Sequence, residues 1–221
     1  MTVILVLVTF FAFVALDWML HRGKQPVTVP VAESARTAQL DRIAGFFAPQ
    51  NVRYHAGHAW LQRERRNIAR AGADEFAAAL AGAISKIELP KPGQWVRQGQ
   101  KAWTLYRNGE KTEMVSPIEG EVLEINQEVL QNPSLLRDDP YGRGWLMTVH
   151  VPDEESTTRN LIPKNLVSSW MQDAAERLYA LQPAAAYATA ADGGEPARDL
   201  LAGVPEVEWP AVTKQFFLTA E

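Results

Sequence analysis

Two stretches decide the reading of this chain: Ser116-Pro117-Ile118-Glu119-Gly120-Glu121-Val122-Leu123-Glu124-Ile125-Asn126 and Asp139-Pro140-Tyr141-Gly142-Arg143-Gly144-Trp145-Leu146. In the first, a Pro-x-x-Gly turn runs into an alternating apolar and acidic segment, the period of a half-buried strand. The same turn stands earlier, as Pro90-Lys91-Pro92-Gly93 ahead of Trp95-Val96. Between the two copies lies Asn108-Gly109, the strongest two-residue hairpin signal, because both central positions of a type I′ turn need positive φ. Two similar half-sheets across a central hairpin would produce this pattern.

Further strands are read over 84–89, 102–106, 114–115 and 145–151, each bounded by turn residues. Upstream, Tyr54, Trp60 and Leu61 are β-formers with Gly57 interrupting them, and 73–80 reads as a short helix with Asp74 as N-cap and Gly82 past its end. The sum is a small antiparallel β-structure, sandwich or barrel. Downstream, 163–181 reads as a helix with Pro163 in its first turn and Leu166, Trp170, Ala174, Leu178 and Leu181 at helical spacing. Residues 183–196 are rich in Ala and Gly, a flexible linker by composition. Beyond them Trp209, Val212 and Phe216 predict a short aromatic helix, which either docks on its own domain or is offered to a partner.

The chain of 221 residues is 47% hydrophobic and 22% charged, a globular balance that excludes wholesale disorder and a polytopic membrane protein. A formal charge of −4 gives no electrostatic reason to expect nucleic acid as a partner. Cysteine is absent, which removes disulfides, thiol catalysis and thiolate metal sites.

Residues 3–20, Val-Ile-Leu-Val-Leu-Val-Thr-Phe-Phe-Ala-Phe-Val-Ala-Leu-Asp-Trp-Met-Leu, carry a single charge, Asp17. At 1.5 Å per residue such a helix is roughly 27 Å long, close to the hydrocarbon thickness of a bilayer. Trp18 suits the interface, while no basic residue precedes the run and no small-residue cleavage site follows it, so a span is favoured over a signal peptide. Arg22 and Lys24 come just after it, so the N-terminus is expected outside and the body cytoplasmic, on the inner membrane. The expected organisation is an anchor over 1–22, a tether or stem over 23–51, a β domain over 52–181, and a linker with a terminal helix over 182–221. The stem is read as containing a short helix over 32–47, with Ile43, Phe46 and Phe47 on one face.

From residue 54 to about 181 the chain resembles the H protein of the glycine cleavage system, of the lipoyl/biotinyl-carrier superfamily. The resemblance rests on His58-Ala59-Trp60, on Gly72-Ala73-Asp74-Glu75-Phe76-Ala77 and on Ile87-Glu88-Leu89-Pro90-x-x-Gly93. It continues through Ser116-Pro117-x-x-Gly120-x-Val122 and Asn126, then Asn132-Pro133-x-Leu135, and ends in Asp139-Pro140-Tyr141-Gly142-x-Gly144-Trp145. It covers about 125 of the 221 residues. The resemblance implies a mainly β fold with flanking helices, a lipoyl-type barrel-sandwich hybrid, and a carrier that is not itself an enzyme.

In that family a lysine at the tip of the central hairpin, in a Glu-Ser-x-Lys-Ala context, carries lipoate. The corresponding position here is Gly109, flanked by Asn108 and Glu110, and the Glu-Ser element is missing. Lys111, two residues along the returning strand, is the leading candidate for a shifted attachment, ahead of the more distant Lys101; otherwise it is an ordinary exposed lysine, and no cofactor is expected.

His55-x-x-His58 offers a metal pair only on a helix; on a strand an i, i+3 pair faces opposite ways, so no metal is expected. Arg63, Arg65, Arg66 and Arg70 form the one basic cluster, read as a solvated hairpin face, a surface for anionic headgroups, or one for an acidic protein partner. The leading expectation is a membrane-tethered, unlipoylated H-protein-like scaffold that binds other proteins. The alternatives are a lipoyl carrier using Lys111, in glycine cleavage or a related redox pathway, and an adaptor of a membrane transport system. The adaptor is disfavoured by the expected cytoplasmic body and by the lack of a long heptad hairpin between the half-motifs.

Overall fold

A computed structural model describes residues 42–181, 197–202 and 208–219. The expected anchor, most of the stem and the linker lie outside these residues. Among the described residues no helix is long and apolar enough to cross a membrane.

The described chain is mainly β. A small hairpin, β1 (Arg42–Ile43) and β2 (Phe46–Phe47), precedes β3 (Arg53–His55), β4 (Ala59–Arg65) and β5 (Ile68–Ala73). Helix α1 (Glu75–Ala81) leads to β6 (Lys86–Glu88), β7 (Trp95–Val96), β8 (Lys101–Arg107), β9 (Glu110–Val115) and β10 (Gly120–Ile125). After α2 (Gln127–Gln131) and α3 (Leu135–Asp138) come β11 (Met147–His150), α4 (Glu154–Arg159), α5 (Val167–Leu181) and α6 (Trp209–Phe216).

The strands form a six-stranded sheet in the order β3-β4-β5-β11-β10-β7 and a three-stranded sheet β6-β8-β9, with every pairing antiparallel. Trp103, Leu105 and Met114 of the smaller sheet join Ala71, Val122 and Val149 of the larger in one buried cluster. The two Pro-x-x-Gly half-motifs end up side by side, with Gly120 opposite Val96 and Gly93 N–H donating to the Val122 carbonyl at 2.7 Å. Gly120 must be glycine: a Cβ there would lie 2.0 Å from the His150 carbonyl oxygen.

Helix α1 forms because an alanine-rich segment follows a strong cap; Asp74 Oδ1 accepts from Ala77 N–H at 2.7 Å. Everything in it but Glu75 is buried.

Two expectations need correction. Residues 42–47 form a hairpin and not the end of a helix. Ala44 and Gly45 both take positive φ, 51° and 89°, the I′ geometry that closes two strands, and Phe46 is fully buried edge-on to Phe76. Gly45 also weakens a helix at that point. Along α5 the buried stripe is Met171, Ala174, Ala175 and Leu178, while Leu166 falls in a preceding 3₁₀ turn and is exposed.

Candidate functional site

The residues that carry the resemblance converge on one hub. Trp60 is fully buried, and its indole N–H donates to the carbonyls of Ala73 at 2.9 Å and Pro140 at 3.1 Å. Gly72 lies flat against that indole; a Cβ there would come within 2.7 Å of the ring. The Tyr141 hydroxyl donates to the Phe47 carbonyl at 2.9 Å and accepts from Glu75 N–H at 3.3 Å, and burial pushes its phenol well above the ordinary 10.

Behind this lies a buried pair. The His58 imidazole stacks between Phe76, centroid to centroid 4.3 Å, and Trp170, 4.6 Å. Its Nδ1 is 2.9 Å from Asp74 Oδ2, and both side chains are fully buried. A carboxylate only accepts, so the proton sits on Nδ1, and Nε2 has no hydrogen-bond partner among the described residues. One aspartate thus caps α1 and orients the histidine. His55 is separate: its Nδ1 accepts from Gly57 N–H at 3.1 Å, and burial, aided by His58, lowers its pKa. Among the described residues no three His, Asp or Glu side chains cluster as metal ligands.

The remaining signature residues shape loops. Asn126 accepts from Glu128 and Val129 N–H as the cap of α2, while its amide donates to the carbonyls of Arg143 and Trp145. Asp139 accepts from the N–H groups of Gly142 and Arg143, and Gly144 N–H donates to the Asp139 carbonyl. Pro117 offers its carbonyl to the Gln98 amide. Pro90 closes β6 ahead of Gly93, whose φ of 81° makes the turn.

The central hairpin is β8–β9, with Arg107 opposite Glu110, so that Asn108 and Gly109 are its two-residue turn at φ 51° and 85°. Asn108, Gly109, Glu110 and Lys111 are all exposed. Lys111 pairs in register with Tyr106, whose hydroxyl donates to Glu88 Oε2 at 2.7 Å; Lys86 Nζ reaches Glu88 Oε1 at 2.6 Å. The Lys86 ammonium, then the Tyr106 hydroxyl, hold the Glu88 carboxyl below its ordinary range, and the Lys111 charge adds to this.

The hairpin is fastened by the tail. Arg107, just before the turn, forms a two-pronged ion pair with Asp199 at 2.9 and 3.1 Å and donates to the Ala81 carbonyl at the end of α1. Helix α6 packs on β9 and α1, with Thr213 Oγ1 2.8 Å from Thr112 Oγ1 and Phe216 5.3 Å from Phe76. The spacing of Trp209, Val212 and Phe216 signals the helix, and all three are buried against their own domain. The Arg107–Asp199 clamp had no sequence signal, because its partners are 92 positions apart.

A family model for the glycine cleavage H-protein matches residues 52–174. The chain belongs to that family. Among its relatives, the glycine cleavage system H protein of Streptomyces avermitilis is 34% identical over 121 residues, covering 55% of this chain and 90% of that protein. The H protein of Thermobifida fusca is 35% identical over 106 residues, 48% of this chain and 83% of its own. The crystal structure of a glycine cleavage system H protein from Mycobacterium marinum superposes with a TM-score of 0.50 at 22% identity, over 58% of this chain and 99% of that one, which shows the fold. The H-protein match ends before α6, so the tail that fastens the hairpin lies outside it.

The arginine cluster divides. Arg63 pairs with Glu154 at 3.2 Å; Arg70 pairs with Glu64 and lies 4.8 Å over the Trp145 ring. Arg65 and Arg66 are exposed beside the β4–β5 turn, and among the described residues neither has an ion-pair partner.

Proposed function

We propose that the protein is a membrane-tethered member of the H-protein family whose domain is not lipoylated and serves as a non-catalytic binding or scaffold subunit of a membrane-associated assembly. The hairpin tip carries this reading. An amide-linked carrier needs a primary amine projecting from the exposed turn, and neither Asn108 nor Gly109 has one. The residues at the tip therefore do not fit a lipoyl group. The tail also ties the hairpin to the body: α6 packs on β9 at Thr112, and Arg107 beside the turn pairs with Asp199. The tether rests on the apolar run 3–20, and the cytoplasmic placement on Arg22 and Lys24. Arg65 and Arg66 would then face anionic headgroups or an acidic partner.

One observation favours a second reading, a lipoyl carrier in glycine cleavage or a related redox pathway: Lys111 is exposed two residues beyond the turn. The intact mass of the full chain purified from its own membranes, with peptide mapping across 102–114, separates the two. An unmodified mass, from cells that lipoylate other proteins, is the expected result. A lipoyl adduct on Lys111, which would also block tryptic cleavage there, would make the protein a carrier. Recovery in the soluble fraction without detergent would sink the tether.

A further inference from the structure

On the larger sheet, away from the central hairpin, a cavity of about 310 Å³ opens between β3, β4 and α4. Its walls combine two features. Leu61 and Ile118, both buried, form an apolar floor, while Arg53, Arg63 and Lys164 stand around it with a single carboxylate, Glu154. That carboxylate is already committed: it accepts from Asn67 N–H at 2.5 Å and pairs with Arg63 at 3.2 Å.

Two cations are left over. The Arg53 side chain comes off β3, paired opposite Leu61, and its Nε is buried with no hydrogen-bond partner. Lys164 is held at the rim because Ile162 N–H, two residues earlier, donates to the Tyr54 carbonyl at 2.8 Å. Neither Arg53 nor Lys164 makes an ion pair among the described residues. With no carboxylate paired to either, an anion entering the cavity would meet two uncompensated positive charges on its wall and rim.

We propose that this cavity binds a small amphiphilic anion, a carboxylate or phosphate headgroup on an apolar chain. Arg53 and Lys164 hold the headgroup, and the Leu61–Ile118 floor takes the first methylenes. The site is independent of the hairpin and stands whether or not Lys111 is modified. Charge gives it the headgroup, and the floor selects against a bare inorganic ion.

The test uses the full chain in phosphatidylcholine nanodiscs, titrated with propanoate, hexanoate, hexanol and inorganic phosphate and read by saturation-transfer NMR. Hexanoate is expected to bind saturably, each added methylene tightening binding about twofold to fourfold, within the range methylene burial allows. Arg53→Gln and Lys164→Gln should each weaken hexanoate about tenfold, and Lys91→Gln, an exposed residue outside the cavity, should leave it unchanged. Lys164 is exposed, so its variant tests the idea even if Arg53→Gln disturbs folding. Hexanol binding as well as hexanoate, both variants binding like the parent, or no saturation by about 10 mM would overturn the proposal. Repeating the titration in phosphatidylglycerol nanodiscs identifies the source. Competition that Lys164→Gln abolishes indicates a lipid headgroup, and unchanged hexanoate binding indicates a soluble ligand.

Discussion

Replacing Asp74 tests the hub most sharply, because one carboxylate serves two buried donors. Its Oδ1 caps α1 through Ala77 N–H at 2.7 Å, and its Oδ2 accepts the His58 Nδ1 proton at 2.9 Å. Asp74→Ala removes the cap, a loss of about 1 kcal/mol, and strands a buried imidazole N–H, a further loss of about 2 kcal/mol. The sum, about 3 kcal/mol, corresponds to a fall in melting temperature of roughly 6–12 °C for a chain of this size. Asp74→Asn should be milder, about 2 kcal/mol, because it keeps the cap and strands only the imidazole N–H. Its amide oxygen can keep the cap, and its NH₂ can donate to His58 Nδ1 once the proton moves to Nε2, which now has no partner. Urea denaturation of the three proteins gives the ranking, and ¹⁵N chemical shifts of His58 give the tautomer. Equal losses in the two variants, or an unchanged tautomer in Asp74→Asn, would refute the reasoning.

Phe216→Ala should loosen the tail before the body. Deleting a buried ring removes about 3 kcal/mol or more, so amide exchange in α6 should quicken about a hundredfold or more while β4 and β5 keep their protection. Uniform acceleration across the domain would show that the tail is no separate unit. A third expectation concerns pH. His55 titrates below its ordinary 6.5, so the unfolded chain takes the proton first, and the stability this group contributes is full above 6.5 and is lost as pH falls toward its folded value. His55→Gln should therefore flatten the stability profile on the acid side of 6.5, as measured by urea midpoints between about pH 7 and pH 5. A profile as steep as the parent's would assign the dependence elsewhere.

Much of the fold was legible because its signals are local. Asn108-Gly109 names a I′ turn from steric preference alone, Asp74 announces the start of α1, and the alternation in Gly120–Ile125 marks a strand with one buried face. Residues 42–47 depart from the expected helix for a local reason as well: Ile43, Phe46 and Phe47 fit a helical face, but the positive φ of Ala44 and Gly45 and the burial of Phe46 against Phe76 make a hairpin.

The sequence by itself determined the family, the order of the motifs along the chain and the absence of an amine at the turn, since each depends on residue type at fixed spacing. The tertiary structure alone decided what the distant residues do for one another. It placed Trp60, Gly72, Pro140 and Tyr141 in one hub, closed Arg107 on Asp199, and left Arg53 and Lys164 without ion-pair partners among the described residues. Such pairings join positions tens of residues apart, and no periodicity encodes them. They exist only once the packed chain has brought each donor within reach of its acceptor, or failed to.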